Sequence, residues 1–232
     1  MTLADGVARA LQSKGGWAAE AFEGTAGSLH ALEVGPGRSL RVNFVQSPAL
    51  VLGSSQPAPE SPEVGLEVAR RRSGGGAVYL APAQQVWVDL VLGADDPLWV
   101  DDVGLSSAWV GDAWRSAVAA ETDVPPEVFA GPMRDRRLGA VACFAGVGPG
   151  EVVAGGRKLV GVSQRRTRTH ARFQTVAYLR WEPHLLATAM GGLPDAVRAR
   201  LVEGVQAIAP PATPLDRGTQ WGVVERLVAA LP

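Results

Sequence analysis

The stretch Arg70-Arg71-Arg72-Ser73-Gly74-Gly75-Gly76-Ala77-Val78-Tyr79 constrains this chain more than any other. Consecutive glycines lose the most conformational entropy on ordering, so they persist where bare backbone must pass close to something else. The residues that follow are small or β-branched, which leads the chain from the glycines directly into a strand. The arginines in front supply forked donors suited to a phosphate or a carboxylate. The run therefore predicts a loop that approaches a charged ligand and then enters a sheet, with a plain hairpin turn as the alternative. It is not a Walker A loop, because Ala77-Val78 stand where Lys and Ser or Thr are needed, and no GxGxxG occurs in the chain.

A second glycine-flanked segment, Gly156-Arg157-Lys158-Leu159-Val160-Gly161-Val162-Ser163-Gln164, follows later and also reads as the start of a strand. A lone lysine is ordinarily a solvated surface residue. Here the glycines on both sides leave room for a ligand, and an ammonium in that position polarises a carbonyl or neutralises a phosphoryl oxygen, as an electrostatic stabiliser instead of a base. The two segments are expected to face each other across one site.

Length and composition narrow the classes. A chain of 232 residues suits one domain, and 47% hydrophobic residues with a net charge of −1 allow a full core and exclude a disordered tail. No apolar run reaches the roughly 18 residues a membrane helix needs, and Met1 to Gly6 lack the features of a signal peptide, so a cytoplasmic protein without membrane attachment is expected. Cys143 is the sole cysteine, which excludes an internal disulfide and a thiolate zinc site. His30, His170 and His184 are scattered, so no metal site is expected. The balanced charge argues against a nucleic-acid binder.

Along the chain, Thr2 to Ser13 reads as a helix and Leu29 to Val34 as a strand. Ser39 to Phe44 and Ala49 to Gly53 read as strands joined across Ser47-Pro48. Ala77 to Leu80 and the alternating Gln84 to Leu92 are taken as antiparallel neighbours. Ser106 to Glu121 has two apolar stripes at helical spacing. Glu151 to Val153 and Leu159 to Ser163 form a hairpin around Gly155-Gly156, and Phe173 to Trp181 is a further strand. Helices follow at Pro183 to Met190, Asp195 to Ile208 and Thr219 to Leu231. Strands first and helices last predict a single α+β domain over residues 1–232, with a mixed, mainly antiparallel sheet flanked by helices.

The two glycine segments resemble the paired signatures of the lipoate-protein ligase A and octanoyltransferase family, relatives of the biotin ligases. Arg41-Val-Asn-Phe, Ser47-Pro48-Ala49-Leu50 and Leu52-Gly53-x-x-Gln56 look like that family's first strands, so the likeness spans residues 39–181. The resemblance implies transfer of a lipoyl or octanoyl group to a lysine of a lipoyl-domain acceptor protein. It also implies that Arg71, Ser73, Gly74, Gly75, Gly76, Ala77 and Val78, with Gly161, Ser163 and Gln164, bind the acyl group or acyl-adenylate, and that Lys158 holds the reacting carbonyl.

Two branches stay open. In a ligase, ATP and magnesium would form an acyl-adenylate in the glycine loop. In a cysteine octanoyltransferase, with no cofactor, Cys143 would take the acyl group from acyl carrier protein as a thioester; Cys143-Phe144, ahead of Lys158 with Glu151 between, resembles that branch. The apolar setting Val141-Ala142-Cys143-Phe144 also suits a plain buried thiol. A non-catalytic member that only binds the acyl group or the lipoyl domain is the reading from another class. The chain departs from the family pattern at Leu80-Ala81, where His-Asp is usual, and at Gln174-Thr175-Val176, where Gln-His-Gly is usual. The run Arg165 to Arg172 reads as a solvated loop or as a dock for an acidic partner, with a nucleic-acid backbone the weakest alternative because no aromatic stacking set interleaves the arginines.

Overall fold

The computed structural model describes residues 16–209, 213 and 215–232; the helix expected at 2–13 lies outside them. In chain order come β1 (Ala18–Gly24), α1 (Ala26–Ala31), β2 (Ser39–Val45), β3 (Ala49–Leu52), β4 (Glu67–Arg70), β5 (Val78–Leu80) and β6 (Gln85–Gly93). Next are α2 (Ala108–Val118), β7 (Glu127–Val128), α3 (Arg136–Val141), β8 (Val152–Ala154), β9 (Arg157–Arg166) and β10 (His170–Tyr178). The chain closes with α4 (Pro183–Ala189), α5 (Asp195–Glu203) and α6 (Arg217–Ala230).

The strands make a seven-stranded sheet, ordered β1-β2-β6-β10-β9-β8-β7, and a three-stranded sheet, ordered β4-β3-β5. Only β1 with β2 and β3 with β4 run parallel, so the fold is mixed and mainly antiparallel, as expected. Every residue of β6 is buried. Its alternation therefore separates two apolar cores instead of a core from solvent. Val86, Val88, Leu90 and Leu92 face the core under α2 and α6, whereas Trp87 faces the core shared with the small sheet, α4 and α5. Each large apolar side chain buried this way contributes about 1.5–3 kcal/mol.

Three expectations change. β5 and β6 are not neighbours: β5 pairs with β3, and β6 lies between β2 and β10. The turn between them, with Ala83 at φ 59°, carries the chain from the small sheet to the large one. Leu29 to Val34 is not a strand, because Ala26–Ala31 is a short helix capped by Thr25, whose Oγ1 accepts from Ser28 N at 3.3 Å. The helix expected to reach Ile208 ends at Glu203, after which the Gly204 carbonyl accepts from Lys158 N at 2.7 Å and Gln206 N donates to Lys158 O at 2.9 Å. The β8–β9 hairpin forms as expected, with Gly155 at φ 54° and Gly156 at φ 78° supplying the left-handed turn. Among the described residues, no helix is long and apolar enough to cross a membrane.

Candidate active site

The glycine loop leaves β4 and enters β5, and two glycines are dictated by their surroundings. Gly75 sits at φ 99°, and its carbonyl lies so close to Gly53 that a Cβ on Gly53 would fall 1.9 Å from it. A Cβ on Gly76 would meet Gly139 O at 2.4 Å and Ala142 N at 2.7 Å. That close approach continues as backbone pairing, with Ala77 N donating to Val141 O and Cys143 N donating to Ala77 O, both at 2.9 Å. Cys143 is thereby held against the loop by main-chain bonds. Gly76 and Ala77 are scaffold at this seam, and the amide groups of Gly74, Gly75 and Gly76 have no hydrogen-bond acceptor among the described residues.

The arginines read as anion donors are used differently. Arg70 donates to the carbonyls of Gly53 at 2.7 Å and Gln56 at 2.6 Å, and Arg72 pairs with Glu33. Arg71 is buried, and its guanidinium clamps the loop through Gly74 O at 2.7 Å and Gly76 O at 2.9 Å. Burial lowers its pKa from the usual guanidinium value. Its Nε is shielded from water and has no partner.

Lys158 is 1% exposed, on β9. Its ammonium pairs with Glu151 Oε1 at 2.7 Å and donates to Cys143 O at 3.0 Å and Gly146 O at 3.1 Å, so all of its N–H groups are engaged. It also lies 4.8 Å from the centroid of the Phe144 ring and 4.0 Å from Cys143 Sγ. Glu151 is positioned in turn by the amides of Gly148, at 2.8 Å, and Val162, at 3.2 Å. Gly161 leaves the space these groups fill, since a Cβ there would come 3.1 Å from Phe144 and 3.3 Å from Lys158 Cε.

Two cavities meet at Cys143. The inner one encloses about 410 Å³, open solvent included, and is lined by apolar side chains together with His30, Arg71, Cys143, Gly161, Ser163 and Gln174. Val78 forms part of its apolar wall. The outer groove, about 880 Å³ on the same measure, is lined by Gly74, Gly75, Glu151, Lys158, Ser163 and Gln164 among others. Cys143, Val162 and Ser163 line both. Gln164 Oε1 accepts from Ser106 Oγ at 2.8 Å, leaving its Nε2 shielded and without a partner.

Ser73 lies in a polar thread behind the loop, with its Oγ 3.0 Å from Ser163 Oγ and 3.3 Å from Gln174 Oε1. Gln174 Nε2 is 3.1 Å from His30 Nδ1, and the His30 ring lies 4.4 Å from that of Trp87. The sequence shows His30 only as one of three scattered histidines, and Glu151 only as a residue between Cys143 and Lys158 with no role of its own. Neither carries a local signal, because each acquires its role from residues far along the chain. A histidine does reach the site, although it comes from α1 and not from the strand positions where the family pattern has one.

The mixed sheet flanked by helices is shared with solved lipoate-protein ligases. The bipartite lipoate protein ligase from Thermoplasma acidophilum superposes with a TM-score of 0.64 at 15% identity over 91% of this chain and 80% of that one. A putative lipoate protein ligase from T. acidophilum with bound lipoic acid gives 0.56 at 16% identity over 90% and 92%. A lipoate-protein ligase A bound with ATP gives 0.54 at 14% identity over 91% and 93%. No curated protein sequence matches the chain. The model of the biotin/lipoate A/B protein ligase family matches residues 42–180, and the chain belongs to that family.

Proposed function

We propose that residues 1–232 act as one catalytic domain that transfers a lipoyl or octanoyl group to a lysine of a lipoyl domain, carrying it meanwhile as a thioester on Cys143. The observation that carries this reading is the position of Cys143, whose sulfur is 4.0 Å from the Lys158 ammonium where the two cavities meet. A thiol that both cavities reach is open to an acyl carbonyl from either side, as nucleophilic catalysis requires. The Cys143 thiolate attacks the carbonyl carbon of an acyl-carrier thioester, and the carrier's thiolate leaves and takes up a proton. The acceptor amine then attacks the Cys143 thioester, the amide bond forms, and the amine proton passes to the departing Cys143 thiolate. In this reading the free amides of Gly74 and Gly75, which line the outer groove together with Cys143, donate to the developing oxyanion. A lipoyl-domain acceptor is supported by the T. acidophilum ligase, which belongs to a lipoylation system with its own E2 lipoyl domain.

The second reading, an ATP- and magnesium-dependent ligase with an acyl-adenylate in the loop, is favoured by the shared fold of the ATP-bound lipoate-protein ligase A. The groove fits a triphosphate less well. Among its lining residues Lys158 is the sole lysine or arginine, and Glu151 already neutralises it. Intact mass separates the two. Incubation with octanoyl carrier protein is expected to add one acyl mass, lost in Cys143→Ser and passed on to an added lipoyl domain, with turnover in that variant reduced by more than about a hundredfold. Lipoyl-domain modification that requires ATP and survives Cys143→Ser overturns the thioester route. Modification of nothing by either substrate set leaves a binding protein of this fold.

A further inference from the structure

Resting on the reading of the inner cavity as an acyl pocket, one feature narrows which acyl group it takes. Val51, Val78, Leu80, Trp87 and Val176 make its wall apolar. His30 interrupts that wall. Its side chain is 7% exposed, and its Nε2 is shielded from water with no hydrogen-bond partner.

With the Gln174 amide oriented as it stands, the tautomer follows from its hydrogen bonds. Gln174 Oε1 accepts from Ser73 Oγ at 3.3 Å, which turns the amide nitrogen of Gln174 toward His30 Nδ1 at 3.1 Å. An amide NH2 only donates, so Nδ1 accepts and the single ring proton sits on Nε2. Burial, reinforced by the charges of Arg172 and Arg71, pushes the pKa of His30 down to about 3, so the ring is neutral at ordinary pH. A buried N–H donor without a partner therefore belongs to a residue that lines this mainly apolar cavity, where Arg71, Ser163 and Gln174 contribute the other polar groups. Such a donor carries a desolvation penalty that an acceptor on a ligand removes.

The position is also held in place from outside. Arg172 donates to Leu32 O at 3.0 Å and to Leu29 O at 3.4 Å on either side of His30, and it pairs with the fully buried Asp89. The tilted contact of the His30 ring with that of Trp87 also orients it.

We propose that His30 is a specificity-determining residue whose Nε2–H donates to an oxygen carried along the acyl chain, so that the pocket selects an oxo-substituted medium-chain acyl group over the plain hydrocarbon chain. A ketone oxygen accepts this bond without adding a donor that would need its own partner.

Isothermal titration of the full chain with octanoate and with oxo-octanoates bearing the ketone at successive carbons tests this without turnover. The expected result is a threefold to tenfold tighter Kd for one ketone position, roughly the effect of one neutral hydrogen bond. His30→Phe, which keeps a ring over Trp87, levels that preference, whereas His30→Gln, which keeps an N–H donor, retains part of it. Thermal melting of both variants reports whether they fold. If His30→Phe does not, the wild-type preference and His30→Gln decide the matter. Equal affinities for octanoate and every ketone, as a water held at Nε2 would give, overturn the inference and leave the acyl-pocket reading standing. Binding of neither class overturns both.

Discussion

Lys158 is a charge held inside the protein, and its stability follows from its partners. Removing one member of a buried, hydrogen-bonded ion pair strands the other, at a cost of about 3–5 kcal/mol, whereas replacing both by apolar groups is close to neutral. Glu151→Ala is expected to destabilise by that amount in urea unfolding. Lys158→Met with Glu151→Leu is expected to restore most of the stability while acyl transfer stays lost, and strict additivity of the two single changes would show that the pair is not coupled. His30 gives a pH signature. Its folded pKa of about 3 lies below its ordinary value of 6.5, so between those values the unfolded chain binds the extra proton. Its neutral burial therefore costs nothing above about pH 6.5, and stability falls as the pH drops toward 3. In His30→Phe the acid slope of the unfolding free energy should be shallower by up to roughly 1.4 kcal/mol per pH unit.

The helix α1 is an element made by residues outside it. Six residues are too few for a helix to stand alone, and its sequence Ala-Gly-Ser-Leu-His-Ala shows no 3.6-residue stripe. Glu67, on β4, accepts from Ala26 N at 2.9 Å and Gly27 N at 2.7 Å, and so caps the start with a carboxylate. Arg172, on β10, binds carbonyls at the far end. Both partners lie well beyond any local window, which is why the stretch read as a strand. Glu67→Ala is expected to cost about 1–2 kcal/mol in thermal unfolding, the range of a lost helix cap. It should also weaken binding of an acyl ligand, because it loosens the helix that carries His30. Unchanged affinity alongside the stability loss would separate the helix from the pocket.

At the scale of the molecule, the inner cavity is walled by both sheets: Val51 and Leu80 come from the small one, and Trp87, Gly161 and Val176 from the large one. A ligand there joins the two cores. Octanoate at a hundredfold excess over its Kd should stabilise the fold by about 2.7 kcal/mol and raise Tm by roughly 5–10 °C, in one calorimetric transition. A shift confined to part of the unfolding, or no shift with binding demonstrated by titration, would place the ligand elsewhere.

Much of this was legible in the sequence because it is local or periodic. The alternation of Gln84 to Leu92, the Gly155-Gly156 turn and the stripes of Ser106 to Glu121 each follow from short-range geometry that any fold must respect. The glycine loop and Lys158 were legible because backbone that must approach another chain segment excludes Cβ, and that exclusion is written directly as glycine. Pairing across the fold was decided otherwise. That β5 joins β3 instead of β6, that Glu67 and Arg172 build α1, that Glu151 neutralises Lys158 and that His30 reaches the inner cavity all depend on contacts between distant residues. Their energies come from burial and desolvation, which exist only once the two sheets have closed on each other.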